Sequence, residues 1–369
     1  MILGIDASQA NRKNRSGTEW YAYFLIREFS KLLANRPDIL VRLYIRPPAR
    51  ADLLENLPPN FQISALRWPL KYFWVQARLS WELFMNPPDV LLCPAHTIPL
   101  HHPARTFTTL HDIGFEDFPE LYDPISRFYH RWSARFAVKN AYHLFTISQF
   151  SKYRIIEKYH CKESRISAVY LGYNETRFKV LPKDLVEPVV ERYGLRFKEY
   201  FLFVGRLEPK KNIMGTVRAY EASGCTKPLV FVGKKIAVLD VEEYLAERPN
   251  LASRVKFLGY VAEEDKSALF AGAEIFVFPT FYEGFGLPII EAQAVGTPVV
   301  TSSTASNSEV AGKGALLVDP NNSQQIADAL TRFSKDPGLR EEKVREGLEN
   351  VKRFSWAITA RETLKLMDI

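Results

Sequence analysis

Two carboxylates and two glycines lie close together after an apolar, strand-like run in the C-terminal half of the chain. The stretch reads Pro279-Thr-Phe-Tyr-Glu283-Gly-Phe-Gly-Leu-Pro-Ile-Ile-Glu291 and follows Ile275–Phe278. Gly284 and Gly286 let the backbone approach a ligand closely, and Pro288 favours the first turn of a helix. The N–H groups and the positive dipole end of that helix suit a diphosphate or a sugar oxygen.

Glu283 precedes this predicted helix and Glu291 lies about one turn inside it. A carboxylate accepts paired hydrogen bonds from vicinal hydroxyls, so one of the two can bind a sugar and the other a ribose. The alternative to a ligand site is that Glu283 is an ordinary loop charge and that Glu291 is a helix charge satisfied by the helix dipole. Because the glycines, the proline and the preceding strand all agree, the stretch favours a ligand site.

A basic stretch follows a second predicted strand and reads Gly205-Arg206-Leu-Glu-Pro-Lys210-Lys211-Asn212. Arg206 and Lys211 can converge above the sheet edge, where a planar fork and a point charge together suit a diphosphate. Lys210 competes with Lys211, and spacing does not separate them. An exposed basic turn is the alternative. Asn212 has the residue type of a helix N-cap.

Short apolar strands alternate with helical patterns in both halves of the chain, which predicts two α/β units with parallel sheets. Helices are predicted near 18–34, 73–85, 125–139, 149–158, 212–222, 240–247, 263–271, 288–296, 306–311 and 356–367. Strands are predicted over 2–6, 40–45, 90–93, 107–110, 143–147, 166–169, 200–204, 229–232, 255–258, 275–278, 298–301 and 315–318. The polar stretch 178–196, broken by two prolines, predicts a connection between the units. Ligands of open parallel sheets bind beyond the carboxyl ends of strands, so the cleft between two such sheets is the expected site.

Charge and cysteine content narrow the class of protein. Residues 1–175 carry 22 Lys and Arg against 16 Asp and Glu, so this half holds most of the net charge of +7. A basic face suits an anionic membrane surface or a phosphorylated substrate, or is simply a well-solvated surface. No nucleic-acid motif is present. Three scattered cysteines, no metal-ligand spacing and no signal-peptide pattern favour a cytoplasmic protein.

The two chemical stretches resemble glycosyltransferase family 4, retaining enzymes with two Rossmann-like domains, the fold called GT-B. The motifs that carry the resemblance are G-R-L-x-x-x-K-N, E-G-F-G-L-P-x-x-E and the A-x-G-T-P-V-V that follows. The resemblance covers most of the chain. It implies an acceptor-binding domain over 1–177, a nucleotide-sugar domain over 197–353, and a C-terminal helix over 354–369 that returns to the first domain.

The resemblance also implies roles for individual residues. Arg206 and Lys211 would hold the donor diphosphate, Glu283 the transferred sugar, and Glu291 the ribose. The backbone that lines the sugar and phosphate would be that of Gly284, Phe285, Gly286 and Leu287. His111, after the strand at 107–110, would approach the sugar from the first domain. His96, His101 and His102 are alternative candidates for this role. The other interpretation is that His111 has only a structural role and is hydrogen-bonded to Asp112.

The loop after the first strand departs from the family pattern. Many relatives are glycine-rich there, whereas this chain keeps only Gly17, to which the resemblance assigns the contact with the donor. Arg12, Lys13 and Arg15 could instead meet an anionic acceptor. The aromatic and basic segment 68–81 could be an interfacial surface for a lipid-linked acceptor, or a packed helix with ordinary exposed cations.

The predicted activity is transfer of a hexose, of mannose or glucose type, from a nucleoside-diphosphate sugar to a glycan or lipid-linked acceptor. GDP-mannose is slightly favoured over UDP-glucose as donor. No cofactor or metal is expected, since no Asp-x-Asp motif appears. A cytoplasmic location, with possible contact to the inner face of a membrane, follows from the acceptor class. The alternative is an inactive sugar-nucleotide-binding subunit. A nicotinamide dehydrogenase and a P-loop enzyme are disfavoured because their glycine motifs are missing.

Overall fold

The computed structural model describes residues 1–70, 72–236 and 238–369, which form two units. Unit 1 comprises Met1–Gly172 and Trp356–Ile369, and unit 2 comprises Tyr173–Ser355. The first unit is therefore discontinuous in sequence. Each unit is an α/β structure with one parallel sheet, which confirms the predicted fold class.

Within its described residues, the first segment of unit 1 contains seven strands and six α-helices. The order in the sheet is β3-β2-β1-β4-β5-β6-β7, and every pair is parallel. The strands are β1 (Ile2–Asp6), β2 (Leu40–Ile45), β3 (Phe61–Ala65), β4 (Val90–Cys93), β5 (Thr106–Thr109), β6 (His143–Thr146) and β7 (Ile166–Ala168). The helices are α1 (Gly17–Leu32), α2 (Ala51–Leu54), α3 (Ser80–Met85), α4 (Gly114–Asp117), α5 (Pro124–Asn140) and α6 (Gln149–Tyr159). A π-helical turn over Trp74–Leu79 runs into α3, and short 3₁₀ turns cover Pro119–Leu121 and Glu163–Arg165.

The described part of unit 2 has six strands in the order β10-β9-β8-β11-β12-β13, again all parallel. They are β8 (Phe201–Val204), β9 (Leu229–Val232), β10 (Val255–Gly259), β11 (Ile275–Phe278), β12 (Val299–Ser302) and β13 (Ala315–Val318). The helices are α7 (Lys183–Arg192), α8 (Ile213–Ala222), α9 (Leu239–Ala246), α10 (Pro249–Ala252), α11 (Lys266–Gly272), α12 (Leu287–Ala294), α13 (Asn307–Ala311), α14 (Ser323–Lys335) and α15 (Pro337–Asn350). Two 3₁₀ turns cover Pro209–Lys211 and Val351–Arg353.

The chain ends in α16 (Trp356–Leu366), which packs on α1 of unit 1. Trp356 stacks on Phe24 with ring centroids 5.1 Å apart. Thr359 Oγ1 donates a hydrogen bond of 2.7 Å to the carbonyl of Tyr170, and the Arg105 guanidinium donates one of 2.7 Å to the carbonyl of Met367. The helix thus completes the side of unit 1 on which α1 lies.

The stretch 178–196, predicted to connect the two units, lies within unit 2 and contains α7, with Pro188 inside the helix. Val186 and Val190 lie one turn apart and are fully buried, with a methyl of Val190 pointing at Gly272 of α11. Burial of this apolar stripe against α11 offsets the backbone hydrogen bond that proline removes.

Candidate active site

The two chemical stretches of unit 2 are neighbours because their strands are neighbours. β8 and β11 pair directly, with Ile275 opposite Phe201, and both run in the same direction. Their carboxyl ends therefore open at the same edge of the sheet, which is where ligands of such sheets bind. The N–H of Phe281 donates a hydrogen bond of 3.0 Å to the carbonyl of Lys210, which ties the two loops together.

An ion pair joins the two loops at the level of their side chains. The Lys211 ammonium donates a short hydrogen bond to a carboxylate oxygen of Glu283. These side chains are 13% and 12% exposed, respectively. The ammonium also lies 5.5 Å from the ring centroid of Phe278, over its face. Lys211, predicted to bind the diphosphate, and Glu283, predicted to bind the sugar, are thus hydrogen-bonded to each other.

A second carboxylate, that of Glu208, pairs with the other two cations of the basic stretch, Arg206 and Lys210. The sequence analysis did not identify Glu208 as a site residue. Glu208 is buried and accepts a 2.8 Å hydrogen bond from Arg206, and the Lys210 ammonium lies 3.5 Å away. Arg206 itself is 68% exposed. Lys210 therefore faces Glu208, while Lys211 faces Glu283. The Lys211 side chain thus contacts the glycine-rich loop through Glu283.

Asn212 lies at the N-cap position of α8, as predicted, but does not cap it. Its backbone is left-handed, with φ of 56°, and its side chain makes no capping hydrogen bond. The side-chain amide instead donates to the carbonyls of Pro279 and Pro320, at 2.9 and 2.7 Å. It thereby fixes the loops after β8, β11 and β13 relative to one another. The capping prediction failed because a buried amide satisfies tertiary carbonyls better than a local turn.

The helix predicted after the glycines is α12, which begins at Leu287. Gly286 adopts φ of 96°, and a Cβ there would lie 3.0 Å from Asn307 Oδ1 and from Ile289 Cδ1. Glycine is therefore needed at this turn on grounds of both backbone conformation and space. Gly284 is buried beside it, and the Phe285 side chain packs edge-on against Phe354 of the same unit, at 5.7 Å. Phe285 can hence offer a ligand only its backbone.

Two polar residues after β12 hold the glycine-rich loop in place, and sequence reasoning missed their role. Ser306 Oγ donates to the carbonyls of Glu283 and Phe285, at 2.8 and 2.9 Å. The Asn307 amide donates to the Thr280 hydroxyl at 2.8 Å. The signal available from sequence was a polar cluster that follows a strand in the same sheet.

Glu291 lies on α12 and is partly buried. Among residues 1–70, 72–236 and 238–369, no hydrogen bond or ion pair satisfies its carboxylate. Burial, chiefly, raises the pKa of Glu291 to about 7, with nearby Glu263 adding to the rise and Lys266 and Arg177 opposing it. A buried carboxylate without a partner is costly, and an incoming pair of hydroxyl donors would stabilise its charged form.

In unit 1, His111 follows β5 at the carboxyl edge of that sheet. The ring is buried, its Nε2 lies 3.0 Å from the carbonyl oxygen of Pro94, and Tyr21 packs edge-on against it at 4.8 Å. Because a carbonyl only accepts, Nε2 carries the proton and Nδ1 has the lone pair. Burial lowers the pKa of His111. The residue is thus a neutral imidazole held in one tautomer by backbone, not by Asp112.

Of the three further histidines near this strand end, only His96 approaches His111. Their ring centroids are 5.1 Å apart, and burial lowers the pKa of His96 to about 3. His101 and His102 lie in a different environment, where His101 packs against Phe84 and His102 lies near the carbonyl of its neighbour Pro103.

Gly17 is the first residue of α1, and a Cβ at this position would meet nothing within 4 Å. Its predicted contact with the donor remains a prediction. The preceding Ser16 forms a capping box with Glu19. Arg15 is not available to an acceptor, because its side chain is only 4% exposed, is paired with Asp52 at 2.6 Å, and lies over the ring of Tyr23.

The aromatic segment 68–81 is divided between the core and the surface. Trp74 is buried and donates to the carbonyl of Leu66, whereas Tyr72, Phe73 and Trp81 are exposed. Lys71 lies outside the described residues. In the part of the chain that the structure describes, no helix is long and apolar enough to cross a membrane. The same residues contain no cluster of His, Cys, Asp or Glu that could hold a metal ion.

Comparison with known proteins gives matches in both units. Residues 15–177 match the family described as Glycosyltransferase Family 4, and residues 194–349 match Glycosyl transferases group 1. O-antigen chain mannosyltransferase B of Escherichia coli is 35% identical over 292 residues, which span 78% of this chain and 76% of the relative. O-antigen chain mannosyltransferase RfbU of Salmonella typhimurium is 28% identical, over 88% of this chain and 92% of the relative.

Among solved structures, HepE of Anabaena in complex with UDP and glucose matches with a TM-score of 0.74 and 18% identity, over 100% of this chain and 99% of that one. That likeness shows the GT-B fold. The identity to the Escherichia coli relative, together with the two family matches, shows the class of protein. The chain belongs to glycosyltransferase family 4 and is a glycosyltransferase.

Proposed function

We propose that the chain is a retaining hexosyltransferase that transfers a mannose- or glucose-type sugar from a nucleoside-diphosphate donor to a glycan or lipid-linked acceptor. The observation that carries the proposal is the Lys211–Glu283 pair beside the N-terminus of α12, with Arg206 on the neighbouring loop. Cationic groups and helix N–H groups suit a diphosphate, and a carboxylate suits sugar hydroxyls.

Donor binding would exchange one set of partners for another. Lys211 would leave Glu283 for a phosphate oxygen, and Arg206 would do the same from Glu208. The released Glu283 carboxylate would accept hydrogen bonds from the sugar. Lys211 and Glu283 are already nearly buried, and the loops that carry them are fixed by Asn212 and Ser306, so the exchange requires side-chain movement rather than rearrangement of the loops.

The chemical step would break the anomeric C–O bond with oxocarbenium character, while negative charge gathers on the leaving diphosphate. Lys211, Arg206 and the start of α12 would offset that charge, without a metal ion. A phosphate oxygen of the leaving group would take the proton of the acceptor hydroxyl, which attacks from the same face and retains the anomeric configuration. A kinetically competent covalent glycosyl-enzyme would contradict this step.

The remaining site residues have proposed roles. Glu291 would accept hydrogen bonds from the ribose, and the backbone of residues 284–287 would line the phosphate and sugar. His111, a neutral imidazole with its lone pair on Nδ1, would accept a hydrogen bond from a hydroxyl of the transferred sugar. Gly17 would border the diphosphate.

GDP-mannose is the favoured donor, because relatives that match much of this chain are named mannosyltransferases. UDP-glucose is the second choice. The names of those relatives also support an acceptor of the polysaccharide-assembly class. We place the protein in the cytoplasm, at the inner face of a membrane if its acceptor carries a lipid.

The test is release of nucleoside diphosphate by the purified protein incubated separately with UDP-, GDP- and ADP-sugars. Release with one donor, lost in Glu283→Ala, supports the proposal and identifies the donor. Product anomer analysis with an accepted acceptor tests retention, and EDTA tests metal independence. If no donor gives release of nucleoside diphosphate and no nucleotide stabilises the protein thermally, the result would favour an inactive sugar-nucleotide-binding subunit.

A further inference from the structure

A pocket of about 760 Å³, called here the amino-edge pocket, opens in unit 2 at the edge of the sheet opposite to the Lys211–Glu283 pair. It is lined by residues that precede β8, β9, β11 and β12 and by one side of α15. Strands of four residues, such as β8 and β11, separate the two edges of the sheet by about 13 Å. A small ligand in this pocket therefore cannot contact the candidate donor residues.

Three cations and one carboxylate form a charged cluster in the amino-edge pocket. The cations are Lys198, Lys227 and Arg340, and the carboxylate is Glu274. Glu274 is nearly buried and pairs with two of the cations, Lys227 at 2.9 Å and Arg340 at 3.2 Å. Because one carboxylate faces three cations, the charged cluster has two positive charges in excess when all four groups are ionised.

Lys198 is the cation of the cluster that Glu274 does not pair with. Its ammonium donates a hydrogen bond of 2.8 Å to the carbonyl of Ala273 and forms no ion pair with any residue that the structure describes. An ammonium has three N–H donors, so donors remain for a ligand. Burial, chiefly, lowers the pKa of Lys198 to about 8, with Glu274 opposing the fall and Arg340 adding to it. A bound anion would stabilise the charged form.

Backbone carbonyls hold the other two cations of the cluster in place. The Arg340 guanidinium donates to the carbonyl of Phe333 at 2.6 Å, which anchors it to the end of α14. The Lys227 ammonium donates to the carbonyl of Lys198 at 3.3 Å, which links the segments that precede β9 and β8. Such preorganisation lowers the entropic cost of binding an anion.

The remaining ionic residues of the pocket balance one another. Glu349 pairs with Lys352, and both side chains are strongly exposed. Glu341 and Arg345 are exposed, carry opposite charges and lie one turn apart on α15. The excess positive charge of the amino-edge pocket is therefore confined to the charged cluster.

The side of the pocket formed by α15 also offers groups that suit a sugar. Val344 and Leu348 line it, together with Pro298 from the segment before β12. Apolar side chains of this size can pack against the C–H groups of a sugar ring. The Glu341 carboxylate, which forms no ion pair with any described residue, can accept hydrogen bonds from hydroxyl groups.

We propose that the amino-edge pocket binds a sugar phosphate, with the phosphomonoester group on the charged cluster and the sugar against α15. A phosphomonoester carries a charge of about −1.5 to −2 at pH 7, which matches the excess of the cluster better than a single carboxylate does. Lys198, Lys227 and Arg340 donate to the phosphoryl oxygens. This ligand is distinct from the sugar nucleotide, whose proposed contacts lie at the opposite edge of the sheet, so the inference does not depend on the identity of the donor.

The test measures binding of mannose 6-phosphate, inorganic phosphate and uncharged mannose to the full-length protein by calorimetry at low salt. The decisive variant is Lys198→Gln, whose amide can still donate to the Ala273 carbonyl but carries no charge. The matched control is Lys256→Gln. The Lys256 ammonium also donates to a backbone carbonyl, that of Gly194 at 2.9 Å, but Lys256 is not among the residues that line the pocket.

We expect mannose 6-phosphate to bind, inorganic phosphate to bind more weakly, and mannose to give no binding. Lys198→Gln should weaken binding of mannose 6-phosphate by about tenfold or more, because a charge-assisted hydrogen bond is lost. Lys256→Gln should change it less than about twofold. Thermal unfolding of both variants checks that they fold, and Lys198→Gln should be no less stable than the native chain, because it removes a half-buried charge that has no ionic partner.

Arg345→Ala provides a second test that leaves the charged cluster intact. Arg345 is exposed on α15, so its removal should not disturb folding. We expect it to weaken binding of mannose 6-phosphate by about threefold, as befits an exposed cation near the phosphoryl group.

Equal weakening by Lys198→Gln and Lys256→Gln would overturn the proposal, since it would reveal only a response to net charge. Binding that persists in Lys198→Gln but is lost in Arg206→Ala would also overturn it, because the probe would then lie at the candidate donor site. Equal affinities for inorganic phosphate and mannose 6-phosphate would overturn the assignment of a sugar phosphate. Calorimetry requires no sugar transfer, so failure of this proposal is distinguishable from failure of the donor assay.

Discussion

The two units use the same architecture but differ in how the cations at the carboxyl edges of their sheets are paired. In unit 2 the cations of the candidate donor site are paired with carboxylates, Lys211 with Glu283 and Arg206 with Glu208. In unit 1 the loop after β1 carries Arg12, paired with Glu19, Arg15, paired with Asp52, and the exposed Lys13, which forms no ion pair with any residue that the structure describes. A paired site must exchange partners when its ligand binds, whereas an uncompensated site attracts an anion directly. The difference predicts that substitutions in the nearly buried Lys211–Glu283 pair affect stability and activity together, and that a substitution of the exposed Lys13 leaves stability nearly unchanged.

The largest effect is expected for Lys211→Ala. We expect kcat/KM for the donor to fall by about 10²–10³, because an electrostatic contact to the leaving group is lost. The free energy of unfolding should fall by about 2–4 kcal/mol, since Glu283 would remain nearly buried without its partner. Released nucleoside diphosphate and urea unfolding measure the two effects.

Two variants serve as controls for Lys211→Ala. Lys210→Ala should lower kcat/KM less than about threefold, because Lys210 lies against Glu208 rather than in the Lys211–Glu283 pair. The double variant Lys211→Ala/Glu283→Gln should recover much of the lost stability, because no unpaired buried charge is left. A larger loss of activity in Lys210→Ala than in Lys211→Ala would reverse the assignment of the two lysines.

Asn212→Asp is expected to lower the free energy of unfolding by about 2–3 kcal/mol. The amide that donates to the Pro279 and Pro320 carbonyls would be replaced by an acceptor facing two acceptors in a buried position. Activity should fall with stability, since three loops at the strand ends are released together. Thermal unfolding with and without nucleoside diphosphate gives the measurement, and an unchanged melting temperature would contradict the role given to Asn212.

Glu291 predicts a dependence on pH. The ordinary pKa of this carboxyl is 4.5, and burial raises it to about 7 in the folded protein. Between these values the unfolded chain has released a proton that the folded chain still holds, so stability falls as pH rises through the window and stays lower above it. Nucleotide affinity should instead rise as pH increases through about 7, because ribose hydroxyls donate to the ionised carboxylate.

Glu291→Gln should remove both pH dependences, that of the free energy of unfolding and that of the nucleotide affinity. At pH 8 the variant should be more stable than the native chain by roughly 1–2 kcal/mol, since it carries no buried unpaired charge, and it should bind nucleotide more weakly. Calorimetric titrations with nucleoside diphosphate between pH 5.5 and 8 provide the comparison. An identical pH profile in native and variant proteins would assign the proton to another group, such as the phosphate of the ligand.

The smallest effect on stability is expected for Arg206→Ala. Arg206 is largely exposed, so its pair with Glu208 contributes about 0–1 kcal/mol. Donor turnover should nevertheless fall about tenfold or more, since a diphosphate contact is lost. A stability loss above about 2 kcal/mol would show that the Arg206–Glu208 pair, despite the exposure of Arg206, contributes as much as the nearly buried Lys211–Glu283 pair.

The strands that the sequence predicted best are the buried ones. The predictions for Ile2–Asp6, Leu229–Val232 and Ile275–Phe278 match the structure at both ends, because an apolar run between turn residues leaves few alternatives. β3 was missed since Phe61–Ala65 places polar residues at positions 62 and 64, at the edge of the sheet. The helices α14 and α15 were also missed, although the buried apolar residues of α14 follow the 3.6-residue period.

The sequence predicted those candidate site residues whose types repeat a family pattern. It did not predict the ion pairs that these and neighbouring residues form. Motif spacing brought Lys211 and Glu283 into the same site, and the structure shows them in contact. The same spacing did not indicate that Arg15 forms an ion pair with Asp52 or that Arg206 forms one with Glu208. Those pairings depend on tertiary geometry, which brings together residues far apart in sequence as easily as neighbours.

The placement of α16 in unit 1 has a consequence for the order in which the protein is made. A ribosome completes residues 173–355, all of unit 2, before it adds the helix that packs on α1. Synthesis of unit 1 therefore begins first and ends last. Phe24 cannot stack on Trp356 until the whole of unit 2 has been synthesised and is able to fold. During synthesis, the face of α1 that carries Phe24 is therefore a temporary apolar surface, and the nascent chain is most vulnerable to aggregation or chaperone capture just before α16 emerges.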